Sequence, residues 1–478
     1  MLPDTAKTHV VRNQNGWSDL VSEGRRAILT LLLLGCWVVA VDSLVVATIL
    51  PSVGASLGGF AWFGAASAIF LTGLVVAAAS SSWLANSVGL RTAMLLAGLG
   101  FAAGCGISAV GDRMAWFIAG RALQGCAAGW VSGLIYISVA TYFPGRHLPR
   151  VLGLCSTVWA IASLAGPLLG GLFADAGSWR SVFWLFAGQG GVFAVVSYLL
   201  LPESNGRTGR RDHDGFPGRS LMLLTASIGA LSIASATTER SSATPLAVVG
   251  AVLLVATVRI DRLRPGGVVP KQAVDPAFPL GSTYLVYFFA MAAGTAFTLY
   301  VPTLLQRHLG FSALEAGYIV AIEALTWTVA ALVFAGIRER CQTWLIVIGP
   351  SMILAGTILN MISLHCGELT MIAASGAALG AGCGLCFPFI GKRVIDAFDD
   401  ADRGRGSSAI SAARNAGGAF GAAIAGIAAN IAGSGSGMND TNAVAVISGA
   451  LGSSIPLAVG ALAFACRAAL YRPELVTK

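Results

Sequence analysis

Along the chain, predominantly apolar stretches of roughly 18 to 25 residues alternate with short segments bearing charge, Gly, Pro or Ser, which is the length a helix needs to cross a ~30 Å hydrocarbon layer. Fourteen such helices are predicted, near 27–50, 60–80, 92–111, 114–142, 151–173, 181–201, 220–237, 243–258, 282–304, 314–336, 343–364, 369–391, 407–432 and 443–466. A membrane β-barrel would instead show segments of about ten residues with alternating polarity. The pattern therefore predicts an all-α polytopic membrane protein.

The distribution of basic residues tests the count, because one missed or invented helix inverts every later loop. With both termini cytoplasmic, most of the 30 Lys and Arg fall on inner segments; the outer loops hold only Arg113, Arg180, Arg240 and Arg307, and Arg121 and Arg414 fall within helices. The formal charge of +8 is thus an orientation signal and does not mark a nucleic-acid surface. Parity cannot separate fourteen helices from twelve, since removing helices 7 and 8 together preserves it. Their apolarity decides: 220–238 carries no charge and neither does 241–258. The expected organisation is a cytoplasmic N-terminus over 1–26, six helices over 27–202, linkers with a two-helix insert over 203–281, six helices over 282–470 and a cytoplasmic tail over 471–478.

Composition agrees, with 56% hydrophobic and 11% charged residues against about 25% charged in soluble domains, too few to cover a water-facing surface. A soluble enzyme is excluded. The first 26 residues contain no apolar core of the signal-peptide kind, so the first apolar run is expected to be an uncleaved anchor. The nine cysteines fall mostly in apolar runs and suggest no disulfide framework. Cys383 and Cys386 form a CxxC inside such a run with no second pair, so they are read as packing residues and no metal is expected.

Among the ionisable residues inside the apolar runs, Asp42 in helix 1, Arg121 in helix 4 and Glu323 in helix 10 are singled out as candidates. A charge at that depth costs about 2.5 to 3.5 kcal/mol on insertion scales, which makes each a functional candidate. Counted from the outer boundary, all three sit roughly 10 to 14 Å deep, so an aqueous cavity lined by both halves is expected to hold them. In helix 5, Gly166, Pro167, Gly170 and Gly171 fall within two turns, a combination that permits close helix approach and loosens the helix as a hinge.

Together these residues resemble the major facilitator superfamily, and within it the fourteen-helix drug:proton antiporter family. Asp42 followed by Pro51 is similar to the family's helix 1 pattern, and Arg121, Gln124 and Gly125 match its Arg-x-x-Gln-Gly in helix 4. Gly166, Pro167, Gly170 and Gly171 match the antiporter signature, and Trp179-Arg180 looks like the Trp-Arg pair before helix 6. The family's loop between helices 2 and 3 reads Gly-x-Leu-Ala-Asp-Arg-x-Gly-Arg; here Leu84, Gly89 and Arg91 are kept, but Asn86 and Ser87 replace the charged pair. The gate that resemblance implies there is weakened, while the pseudo-repeat AGIRER between helices 10 and 11 keeps Glu339 and Arg340.

The resemblance implies two six-helix bundles around a central cavity, plus the insert, in a bacterial inner membrane. It implies proton-coupled efflux of hydrophobic, cationic small molecules, with Asp42 and Arg121 coupling protons; beside the resemblance, the residues themselves make Glu323, Trp327 and Gln124 the candidates to meet substrate. Trp327, one turn beyond Glu323, offers a ring face to a cation. No cofactor beyond the proton gradient is expected. The expected partners are a small-molecule substrate, protons and lipid, without nucleic acid, and the expected unit is a monomer. An exporter of one specific metabolite, an anion included, and a non-transporting sensor or scaffold are the competing readings.

Overall fold

The protein, a computed structural model, is described over residues 25–57, 63–203, 217–237, 240–262, 279–307, 309–433 and 443–469. The expected N-terminal segment, C-terminal tail and most of both linkers lie outside the described residues, as does the side chain of Pro51. The helices are α1 (Arg25–Leu57), α2 (Phe63–Val88), α3 (Leu90–Val110), α4 (Met114–Tyr142), α5 (Leu148–Asp175), α6 (Trp179–Leu200), α7 (Gly218–Ala236) and α8 (Arg240–Arg262). They continue as α9 (Pro279–Arg307), α10 (Ala313–Phe334), α11 (Glu339–Cys366), α12 (Leu369–Asp396), α13 (Asp400–Ala432), α14 (Ala443–Gly452) and α15 (Ser454–Ala469).

Every predicted span has its helix. Thirteen stretches among the described residues are long and apolar enough to cross a membrane. The fourteenth span, α7, has a shorter apolar stretch, but at about 28 Å for the whole helix it nearly matches the hydrocarbon thickness. The last span is broken at Ser453 into α14 and α15, with Pro456 in the first turn of α15 where its missing N–H costs little. Local chemistry sets other boundaries. Ser312 and Glu315 cap α10 reciprocally, the Ser312 amide donating to the Glu315 carboxylate at 2.8 Å. Gly89 joins α2 to α3 at φ 81°, a left-handed conformation that side chains with a Cβ seldom adopt.

In the first six helices, α1 packs on α5, α2 on α4, and α3 between α4 and α6; from α9 onward, α9 packs on α13 and α15, α10 on α12, and α11 on α12 and α15. The two groups meet where α5 contacts α10 and where α13 contacts α2 and α4. The α7–α8 hairpin is tied by Ser227, whose hydroxyl donates to the Gly250 carbonyl at 2.7 Å. Its α7 lies across the junction of the two groups: Leu221, Leu224 and Ile228 pack with Val75 and Ala79 of α2 and Ala412, Ala416 and Ala419 of α13. Large apolar side chains such as Val110, Leu199, Met222 and Trp344 remain exposed on the outer surface, as suits a protein whose solvent is lipid. The chain is a multi-pass membrane protein.

A cavity between the two helix groups and a buried ion pair beside it

Lipid offers no partner to a polar side chain, so those buried in these helices turn toward one another. Asp42 of α1 and Arg121 of α4 meet directly: Nη1 of Arg121 donates to Oδ1 at 3.1 Å and to Oδ2 at 3.0 Å. The same nitrogen donates to Oε1 of Gln124 at 2.9 Å, and Nε2 of Gln124 reaches Sγ of Cys105 on α3 at 2.8 Å. Asp42 and Gln124 are fully buried and Arg121 is 4% exposed. The Arg121 guanidinium lies over the Phe70 ring, 3.9 Å from its centroid, a favourable cation–π geometry.

This corrects two expectations. Asp42 and Arg121 do share a level, but they satisfy each other in a buried network and are not among the residues lining the cavity. Gln124, expected to meet substrate, is turned away from the cavity because its amide is consumed by Arg121 and Cys105.

The cavity itself, about 490 Å³, opens between the two groups and is mainly apolar in its lining. That volume suits a drug-sized ligand. Glu323 and Trp327 of α10 line it as expected. The Glu323 carboxylate makes no hydrogen bond or ion pair with any described residue. Trp327 meets Phe387 of α12 edge to face, centroids 5.2 Å apart. Tyr287 of α9 lies 4.6 Å from the same ring and donates to the Phe387 carbonyl at 2.6 Å.

Arg414 of α13, which the sequence marked only as a cation within a helix, also lines the cavity. Its Nη1 donates to the Tyr136 hydroxyl of α4 at 2.8 Å, and its Cζ lies 5.6 Å and 5.7 Å from the Trp327 and Phe387 centroids. No described carboxylate pairs with it, and its buried Nε has no hydrogen-bond partner among the described residues. The rule that intramembrane charges are functional candidates would have selected it. Phe70 gave no comparable signal, being one of 22 phenylalanines.

Glycines place these side chains. A Cβ on Gly125 of α4 would fall on the carbonyl of Phe70, and one on Gly380 of α12 would fall on the carbonyl of Glu323. The next turns repeat the arrangement, Gly129 against Leu74 and Gly384 against Trp327. Phe70 and Leu74 thus occupy in α2 the positions that Glu323 and Trp327 occupy in α10.

Of the helix 5 motif, Gly166 is a packing residue, since a Cβ there would lie 2.8 Å from Cβ of Leu44 on α1. Gly170 is buried, Gly171 has open space, and the Pro167 side chain lies outside the described residues. Arg91 turns back within the first group, pairing with Glu203 at 3.3 Å and covering the Tyr198 ring at 4.0 Å, so it makes no bridge to the second. Glu339 pairs with Lys392 at 3.1 Å, and Lys392 also pairs with Asp396 at 3.1 Å. Arg340 is exposed. Asp396 abuts Gly145, at the α4–α5 connection, so closely that a Cβ there would lie 2.5 Å from Oδ1. With Thr328 donating to the Ser156 carbonyl at 2.8 Å, these contacts close the two groups on the side of the Arg-rich loops.

The fold is shared with solved transporter structures. The human organic anion transporter MFSD10 (TETRAN) aligns with a TM-score of 0.66 at 17% identity, over 91% of this chain and 99% of that one. The proton:xylose symporter XylE aligns with a TM-score of 0.64 at 15% identity, over 92% and 94%. In sequence, a probable multidrug-efflux transporter of Mycobacterium tuberculosis is 28% identical over 437 residues, 89% of this chain and 92% of that protein. The multidrug transporter protein MdtP of Bacillus subtilis is 24% identical over 430 residues, 85% and 76%. The sequence profile of the family matches residues 32–363 and 283–474. With profile, relatives and fold in agreement, the chain belongs to the Major Facilitator Superfamily, a family of membrane transporters and not of enzymes.

Proposed function

We propose that this transporter exports hydrophobic small molecules carrying a cationic group, in exchange for protons. The observation that carries the reading is Glu323, a carboxylate with no hydrogen-bond or ion-pair partner among the described residues, in the wall of an apolar, aromatic-rich cavity. A cation placed against it exchanges water for a carboxylate in a low-dielectric site, which favours binding. Trp327 and Phe387 supply ring surface beside it. The naming of sequence relatives as multidrug transporters supports efflux of varied compounds.

Proton coupling is assigned to Asp42 and Arg121. Protonation of Asp42 neutralises one half of a buried ion pair, and a pair that holds α1 to α4 in one state loosens in the other. The domains then correspond to 27–202 and 282–470, rocking around the cavity, with the two-helix insert between them. Both termini are placed on the cytoplasmic side of a bacterial inner membrane, following the basic loops. The contacts at Gly145, Ser156 and Thr328 then make this an outward-facing state. A monomer suffices, and no cofactor beyond the proton gradient is required.

The test is dye transport in inverted membrane vesicles with and without a proton gradient. Cationic dyes should accumulate only when the gradient is present, and Glu323→Gln should reduce that accumulation while sparing neutral dyes. Accumulation indifferent to the gradient would overturn proton coupling; cation flux unchanged in Glu323→Gln would overturn the role of Glu323.

A further inference from the structure

Arg414 is not explained by the transport of simple cations. A fixed positive charge lining the same cavity repels them, and no described carboxylate neutralises it. Among the described residues its one hydrogen-bonded neighbour, the Tyr136 hydroxyl, is neutral and occupies a single donor of the five that a guanidinium carries, while the buried Nε has none. A tie between α13 and α4 would need only a hydrogen-bond donor, which an amide supplies without the cost of a charge at membrane depth.

Arg414 and Glu323 line one cavity without forming an ion pair. Trp327, whose ring faces Arg414 at 5.6 Å, stands one helical turn beyond Glu323, a rise of about 6 Å along α10. Trp327 and Phe387 both lie beside Arg414 and line the same cavity as Glu323. Opposite charges held apart beside aromatic surface complement a flat ligand bearing opposite charges at its two ends.

We propose that Arg414 is an anion-binding subsite and that the preferred substrates are aromatic zwitterions, with a cationic group at Glu323 and a carboxylate at Arg414. The proposal rests on the reading of this cavity as the substrate site. A zwitterion satisfies both charges at once, where a cation leaves Arg414 buried and unpaired and an anion does the same to Glu323. The planar guanidinium matches a carboxylate in two-point fashion, and the Tyr136 hydroxyl is close enough to add a third donor once released from Arg414.

The test compares two dyes with one chromophore: rhodamine B, with a cationic xanthene and a free carboxylate, and its ethyl ester, a cation alone. Binding to the purified full-length protein is measured by fluorescence polarisation. The wild type should bind rhodamine B about tenfold more tightly than the ester, the order of one hydrogen-bonded charge pair. Arg414→Gln should abolish that preference and leave ester binding unchanged or improved, while Arg414→Lys should retain part of it. Absence of preference in the wild type, or equal weakening of both dyes in Arg414→Gln with Arg414→Lys equally impaired, would overturn the subsite and leave the cation-site reading standing. Failure of the wild type to bind either dye would overturn both.

Discussion

The guanidinium of Arg121 rests 3.9 Å above the ring of Phe70, and Phe70 is itself part of the cavity wall. One aromatic side chain thus stands between the Asp42–Arg121 pair and the space assigned to substrate. Removing it should admit water to the pair and let protons cross without substrate movement. Phe70→Ala is expected to raise substrate-free proton flux in proteoliposomes, read with an internal pH dye. Since Phe→Ala in a packed site costs about 3–5 kcal/mol, Phe70→Leu serves as the milder variant. A proton flux equal to the wild type in both would show that Phe70 is not the barrier.

Asp42→Asn should remove gradient-driven efflux and also destabilise the protein. The pair is buried, so loss of the carboxylate strands the Arg121 charge, a change that costs about 3–5 kcal/mol when one partner of a buried pair is deleted. Adding Arg121→Gln should restore much of the thermal stability in detergent and none of the coupling. Proton-driven efflux at full rate in Asp42→Asn would exclude the carboxylate from the mechanism.

The glycine stripes predict a sharp contrast between two chemically identical changes. In Gly380→Ala the added methyl meets the backbone carbonyl of Glu323, so α10 and α12 must separate and the cavity wall shifts. Expression and thermal stability should fall together. In Gly106→Ala on α3 the methyl meets nothing within 4 Å, and the stability should rise by about 0.5–1 kcal/mol through helix propensity alone. Equal melting temperatures for the two variants would refute the packing argument.

On the side of the Arg-rich loops, the second group reaches the first through Asp396 against Gly145, whereas Arg91 stays within its own group. Asp396→Asn should loosen closure there and increase maleimide labelling of the cavity-lining Cys155 from that side; Arg91→Ala should change labelling little. Stronger labelling in Arg91→Ala than in Asp396→Asn would reverse the assignment of the latch.

The fourteen spans, the break into six, two and six helices and the candidate status of Asp42, Arg121 and Glu323 were all legible in the linear chain. Hydrocarbon thickness imposes a length on every helix, and the cost of an intramembrane charge makes each one conspicuous. Which charges meet was not legible. Asp42 and Arg121 are 79 positions apart, and their contact depends on how α1 and α4 are rotated about their axes. At similar depth, Glu323 finds no such partner among the described residues: its backbone packs against Gly380 of α12 and the residue lines the cavity. Gln124 belongs to a motif yet faces inward, and Arg414 belongs to none yet faces the cavity beside Tyr136. Sequence spacing fixes depth along the membrane normal; only the packing of one helix on another fixes the direction in which a side chain points.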